Sequence, residues 1–224
     1  MKKMLSKFLP QYTYFPLILA VVVNLAVFYG TRPITRGWYH YDMSLPIDDR
    51  IPFVPAAIVI YVLAFVTWVV GYCVIARESR EHCYRVLAGD LIAKLLCMVC
   101  FLAIPTAMER PEIPGTDVFS WLNRFIYAAD TPDNLFPSLH CLVNWLLFRG
   151  SLGCKKVGAG YKGFMGVFAI LVFASTVLVK QHLFLDILGG VAAAELGLWL
   201  STRLNAGRLY QAVNRRLGRD HDRK

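Results

Sequence analysis

Six long apolar runs constrain this chain more than any other feature of its sequence. An α-helix of about 20 mostly apolar residues crosses a bilayer core about 30 Å thick. Six such runs in 224 residues leave too little polar sequence to cover a water-soluble core. We therefore predict an all-α fold, a bundle of six transmembrane helices. The predicted spans are Tyr14–Gly30, Phe53–Ile75, Leu87–Pro105, Leu139–Gly153, Phe164–Val179 and Leu183–Leu200.

The composition supports a membrane protein. The chain is 57% hydrophobic and 17% charged, whereas soluble domains are about 45–50% apolar and about 25% charged. A net charge of +9 raises nucleic acid as a partner, but the basic residues lie between apolar runs rather than on one polar face. We expect contact with membrane lipids and none with nucleic acid. Residues 1–224 are predicted to form one domain with a basic cytoplasmic tail at about 205–224.

The distribution of Lys and Arg predicts the orientation. Cytoplasmic loops carry an excess of these residues. With the N-terminus inside, 17 of the 24 fall on the cytoplasmic side and 6 on the other, while Lys94 lies within a span. We therefore expect both termini in the cytoplasm. The chain contains no Asn-x-Ser/Thr site, which fits a bacterial cytoplasmic membrane.

A short amphipathic helix is predicted between the third and fourth spans. Apolar residues recur at helical spacing from Val118 to Ala129, and Thr116 or Asp117 is a suitable cap. We expect this helix to lie on the outer membrane surface. A helix packed across the mouth of the bundle is the alternative.

Asp90 and Lys94 are charged residues four apart in the third predicted span. At this spacing they share one helix face and can pair. Ionisable groups within a span are also candidates for function. We interpret them as a structural ion pair near the cytoplasmic end of the helix.

The segment Pro137-Ser138-Leu139-His140 opens the fourth predicted span on its outer side. Proline suits a helix start, and Ser138 is a suitable N-cap. A helix N-terminus attracts anions through its free N–H groups and positive dipole end. His140 in the first turn would add a titratable group to such a site, although a capped helix start with a chance histidine is equally compatible.

Four further outer-side residues extend this pattern. His182 and Asp186 are four apart, so on a helix they would share a face. A carboxylate beside an imidazole fixes its tautomer, which leaves the other ring nitrogen free as a base or nucleophile. Arg110 and Lys180 supply cations, and an arginine fork suits phosphate oxygens. A polar junction and a surface arginine are the structural alternatives.

Together these residues resemble the type 2 phosphatidic acid phosphatase superfamily, whose motifs are K-x6-R-P, P-S-G-H and S-R-x5-H-x3-D. The matching segments are Arg110-Pro111, Pro137 to His140, and Ser175-Thr176 followed by His182 and Asp186. The order of the motifs and the six spans also fit. Three positions depart from the pattern: Ala103 replaces the lysine, Leu139 the glycine and Thr176 the arginine.

The resemblance implies a phosphatase that needs no metal and no cofactor. It assigns His182 as the nucleophile, Asp186 as its partner and His140 as the general acid, with Arg110, Ser138, Leu139 and Lys180 binding a lipid phosphate. The altered motifs are similar to the inositol phosphorylceramide synthase-like branch, in which an alcohol replaces water as the acceptor. A lipid transporter or scaffold with a degenerate site is a further alternative.

Overall fold

The computed structural model of the chain describes residues 9–218 and is all-helical. In this range we find no β-strand, only two isolated bridges. Eight helices of ten or more residues form the fold, with a helical turn at Arg32–Thr35 after the first. They are α1 Tyr14–Gly30, α2 Ile58–Glu78, α3 Arg80–Ala103, α4 Val118–Ala129, α5 Leu139–Leu152, α6 Ala159–Leu178, α7 Phe184–Arg203 and α8 Gly207–Arg216.

Five of the helical segments are long and apolar enough to cross a membrane. Their outward faces are apolar, as shown by Val69 and Val167, which are 67% and 63% exposed. Large exposed apolar patches mark contact with a membrane or a protein partner. These five segments therefore indicate a membrane protein. They are Gln11–Thr35, Pro55–Glu78, Arg80–Ala103, Ala159–Leu178 and Phe184–Arg203.

The structure does not confirm the sixth span, because the helix at the predicted fourth span, Leu139–Gly153, is too short to be among these five segments. Helix α5 has only 14 residues, about 21 Å at about 1.5 Å per residue, which is shorter than a bilayer core. It packs against α2, α3, α6 and α7, and most of its side chains are buried. Because neighbouring helices enclose α5, its apolar residues fill a protein core rather than face lipid.

The other helix boundaries follow local capping more than hydropathy. Helix α1 has the predicted bounds Tyr14–Gly30. Helix α3 begins at Arg80, seven residues before the predicted Leu87, because the Ser79 hydroxyl accepts a hydrogen bond from the backbone N–H of His82. A charged first turn is compatible with a helix, so the helix extends beyond its apolar run.

The predicted basic tail is folded in part. Helix α8 covers Gly207–Arg216 and buries Tyr210 and Asn214. The Asn214 amide donates to the Tyr12 backbone carbonyl and to the Tyr84 hydroxyl. This part of the tail therefore packs on the bundle. Residues 219–224 of the tail and 1–8 at the other terminus lie outside the described range.

Asp90 and Lys94 form the predicted ion pair, which is buried. The Lys94 ammonium donates to Asp90 at 2.8 Å and to the Ala20 carbonyl of α1 at 3.0 Å. The Tyr72 hydroxyl of α2 donates to the second Asp90 oxygen at 2.8 Å. These contacts join α1, α2 and α3, which supports a structural role.

We expect Lys94→Met to destabilise the fold by about 3–5 kcal/mol, because it leaves the Asp90 carboxylate buried without its counter-charge. The double variant with Asp90→Asn should lose less, since no buried charge remains. Thermal unfolding in detergent measures both. The exposed Lys155→Met is the matched control. A single variant as stable as this control would contradict the structural role.

Helix α4 begins as the sequence predicts, with Asp117 as its cap. The Asp117 carboxylate accepts from the N–H groups of Phe119 and Ser120. Its polar Asn123 is buried and donates to the Pro55 carbonyl. The exposed face of α4 is apolar instead, with Trp121 57% exposed.

Candidate active site

The imidazole of His182 faces the carboxylate of Asp186, with 3.2 Å between Nδ1 and Oδ2. Asp186 is completely buried, and His182 is 9% exposed. The expected helical face does not produce this contact, because α7 begins only at Phe184. His182 lies in the turn before the helix, and Asp186 reaches back to it from the first helical turn.

Backbone hydrogen bonds fix the position of Asp186. Its Oδ2 also accepts from the N–H of Leu183 at 2.8 Å, which caps α7. Its carbonyl accepts from the N–H of Ser138 at 3.1 Å. The start of α7 is therefore bonded directly to the start of α5. At Gly190 a Cβ atom would lie only 2.5 Å from the Ser138 carbonyl oxygen, so the two helices approach closely because this residue is glycine.

Ser138 caps α5, and its hydroxyl accepts from the N–H of Cys141. Leu139 is buried and forms part of the wall of a small cavity beside His140. His140 follows in the first turn. The segment thus forms the capped helix start that the sequence predicts, with the histidine side chain directed into the protein.

Aromatic side chains of α2 enclose His140. Its ring stacks on Tyr61, with 4.3 Å between centroids, and lies 5.0 Å from Trp68 and 5.2 Å from Phe65. The Tyr61 hydroxyl is 3.4 Å from Nδ1 of His140. This shell keeps bulk water from one side of the ring.

The two histidines face each other across a small cavity. Their ring centroids are 6.3 Å apart, and both rings line the cavity. Nε2 of His140 is buried and has no hydrogen-bond partner. One small polar group between the rings would contact both of them.

Arg110 reaches this region from the segment after α3. Its guanidinium donates to the Gln181 side-chain oxygen at 2.6 Å and to the Asp130 carbonyl. It also stacks on Tyr127, with 4.5 Å from Cζ to the ring centroid. Burial lowers the pKa of Arg110, and the nearby Asp130 carboxylate opposes this shift. Arg110 is therefore held beside Gln181, the residue that precedes His182.

Lys180 lines a cavity that opens onto His182, and its ammonium group is hydrogen-bonded to backbone carbonyls. It donates to the carbonyls of Asp48 and Ile51 at 2.9 and 2.6 Å. Its φ of 51° is in the left-handed region, which is uncommon for a residue with a side chain. Lys180 therefore joins the segment that contains Asp48 and Ile51 to the turn that carries His182.

An outer cavity of about 800 Å³ opens onto His182. Arg110 and Lys180 lie in its wall as the sequence predicts. The cavity also contains more carboxylates than cations, a feature that the sequence reading did not include. The acidic lining residues are Asp42, Asp48, Asp49 and Glu109.

A second opening reaches His140 from the side of the bundle. A mostly apolar groove of about 160 Å³ lies between α1 and α2, with Leu25 on one side and Phe65 on the other. Both side chains are more than 40% exposed. The groove ends at His140, so this histidine lies between an apolar opening and the cavity that it shares with His182.

The structure adds residues that the sequence reading missed. Tyr61 and Trp68 belong to an apolar span, where one aromatic residue has no signal that separates it from its neighbours. Gln181 is next to His182, and its polar character at a span junction was a usable signal. The structure brings His140, His182, Asp186, Ser138, Leu139, Arg110 and Lys180 into one region of the fold.

In comparisons with known proteins, the chain matches no family model, no curated protein and no solved structure.

Proposed function

We propose that this protein is a membrane lipid-phosphate phosphatase of the phosphatidic acid phosphatase type, acting through a phosphohistidine. The observation that carries the proposal is the pair of histidines across one cavity, with His182 bonded to the buried Asp186. A histidine oriented by a carboxylate is an activated nucleophile. A second histidine facing it can transfer a proton to the leaving group.

The reaction proceeds in two steps. Nε2 of His182 attacks phosphorus, the bond from phosphorus to the lipid oxygen breaks, and His140 donates a proton to that oxygen. Water then gives a proton to His140 and attacks the phosphohistidine, which releases phosphate and restores His182. Arg110 and the backbone N–H groups at the start of α5 stabilise the charge on the phosphoryl oxygens.

The groove between α1 and α2 supports a lipid as the substrate. It opens between two membrane-spanning segments, so its mouth faces hydrocarbon. A packed helix with its side chains is about 10–12 Å wide, and a groove of about 160 Å³ is too small to hold one. One hydrocarbon chain fits this space and ends at His140, where the phosphate chemistry takes place.

We propose six membrane crossings, with α5 as the shortest. The Thr106 hydroxyl after α3 accepts from the N–H groups of Leu135 and Phe136 before α5. At the other end, Nε2 of His82 in the first turn of α3 lies 2.9 Å from the Gly150 carbonyl. Residues 135–150 therefore extend along α3 between its two ends, although α5 alone is short.

We propose that the site lies on the outer side of a bacterial cytoplasmic membrane, with both termini inside. The apolar face of α4 is exposed at Val118, Trp121 and Phe125, which supports a position at the outer membrane interface. The substrate phosphate would then lie at the surface while its chains stay in the bilayer.

The test of the proposal is phosphate release by detergent-purified protein from a panel of lipid phosphates in EDTA. We expect release to continue in EDTA, because no step of the two-histidine mechanism uses a metal ion. Loss of release in EDTA that returns with a divalent cation would contradict the mechanism.

Filling the groove should affect lipid substrates selectively. We expect Leu25→Trp to lower the turnover of long-chain lipid phosphates by about 10-fold or more, because the indole would occupy the groove and each loss of about 1.4 kcal/mol of transition-state stabilisation lowers the rate about 10-fold. Turnover of a small soluble phosphate ester should not change. The matched control is Leu188→Trp on the exposed face of α7. Equal losses on both substrates would argue against the groove as the chain site.

A lipid phosphotransferase is the second candidate, and the acidic wall of the outer cavity favours it. Asp49 and Glu109 there would accept hydrogen bonds from the hydroxyl or ammonium groups of an alcohol. In this reaction the alcohol takes the place of water in the second step. Phospholipid donors incubated with alcohol acceptors test it: a new phosphodiester product supports transfer, and release of a phosphomonoester alone supports hydrolysis.

A further inference from the structure

We infer that Gln181 binds the transferred phosphoryl group through its side-chain amide and orients Arg110 toward the same group. This inference rests on the proposed function. It adds a binding residue that lies outside the positions matched by the phosphatase motifs, next to His182 in the chain.

The Gln181 side chain has one bonded end and one free end. Its Oε1 accepts from Arg110 at 2.6 Å. This bond assigns the oxygen to the Arg110 side, so Nε2 points away from it. Nε2 is buried and has no hydrogen-bond partner within residues 9–218, and the residue is only 1% exposed. A buried amide donor without a partner is costly, and such groups in a folded protein need an explanation.

Gln181 is part of the wall of the cavity between the histidines. Gln181, His140 and His182 all line this cavity. Among the described residues, Nε2 of His140 is also buried there without a hydrogen-bond partner. A phosphoryl group placed between the rings would accept from the Gln181 amide and also meet His140. One ligand would therefore satisfy both nitrogens.

The backbone holds Gln181 firmly. Its N–H and that of His182 both donate to the Thr176 carbonyl, at 2.9 and 3.1 Å. The preceding Lys180 has left-handed backbone angles. This turn therefore fixes the position of His182, the proposed nucleophile, relative to the Gln181 amide. Thr176 stands where the phosphatase motif has an arginine. The Gln181 amide supplies a donor in the cavity between the histidines.

A purely structural role is the competing explanation, in which Gln181 only supports Arg110. The two roles predict opposite results for Gln181→Glu. A carboxylate still accepts from Arg110, so a supporting role tolerates the change. It has no N–H donor and repels a phosphoryl anion, so the binding role does not tolerate it.

We expect Gln181→Glu to weaken inhibition by orthovanadate, a phosphate mimic, by about 10- to 100-fold, the effect of one hydrogen bond to a charged group. KM for the lipid phosphate should rise as well. Both losses should become smaller at acid pH, as the introduced carboxyl group protonates. The matched control is Gln211→Glu on the exposed surface of α8.

Vanadate-induced thermal stabilisation provides a readout that does not require turnover. The wild-type protein and Gln211→Glu should be stabilised, and Gln181→Glu should not. Equal stabilisation of all three, or none in the wild type, would overturn the inference. Gln181→Met should also lose stabilisation by vanadate. This variant takes the place of Gln181→Glu in the measurement if Gln181→Glu does not fold. A wild-type protein that binds vanadate but does not turn over any lipid phosphate would count against the proposed function alone.

Discussion

Replacing His182 with alanine should lower phosphate release by about 10⁴-fold or more. Loss of a nucleophile removes the covalent route and leaves only the contribution of substrate binding and charge stabilisation. KM should change little, because His182 acts on phosphorus rather than on the lipid chains. Release of phosphate from the preferred lipid, measured at saturating substrate, gives the size of the effect.

The matched control is His40→Ala, a histidine in the loop after α1 that does not line the outer cavity. It should keep wild-type turnover. The His182 variant should show the same thermal unfolding as the wild type, so that lost activity is not lost structure. A folded His182→Ala protein with turnover within about 10-fold of wild type would exclude this histidine as the nucleophile.

Asp186 variants should separate orientation from charge. One oxygen, Oδ2, accepts from both His182 and the Leu183 N–H. An asparagine oxygen in that place keeps both bonds and removes only the negative charge. We expect a loss of about 10-fold for Asp186→Asn, since a charged bond is about twice as strong as a neutral one. Asp186→Ala removes both bonds, and we expect a loss of about 10³–10⁴-fold.

The control pair is Asp117→Asn and Asp117→Ala, at the cap of α4. Asparagine also caps helices well, so its variant should match the wild type. The alanine variant should lose a little stability and keep its turnover per folded molecule. Equal losses for the two Asp186 variants would show that charge alone accounts for its effect and that orientation contributes nothing.

The sequence predicted the fold where hydropathy and capping agree. Helix α1 has the predicted bounds, and Asp117 caps α4. The bounds of α5 differ from the predicted fourth span by one residue, but hydropathy alone did not show that neighbouring helices enclose this apolar run. Helix α8 was missed because its basic residues dominate the tail, while Tyr210 and Asn214, four residues apart, are the face that packs on the bundle.

The candidate site was predictable to a similar degree. The order of the predicted spans placed His140, His182 and Asp186 on the same side, and the structure brings them together. The spacing did not show that His182 precedes its helix, since a contact between residues four apart also forms across a helix cap. The aromatic shell of His140 comes from α2, and no local pattern links Tyr61 to a residue 79 positions away.

The most direct test of the account is to trap the phosphohistidine. Purified protein would be mixed with its lipid phosphate, quenched rapidly in alkali and digested, and the peptides would be analysed by mass spectrometry. The account predicts phosphate on the peptide that contains His182, labile in acid and missing from His182→Ala. Steady turnover with no phosphate on that peptide, or with phosphate on another residue, would contradict it.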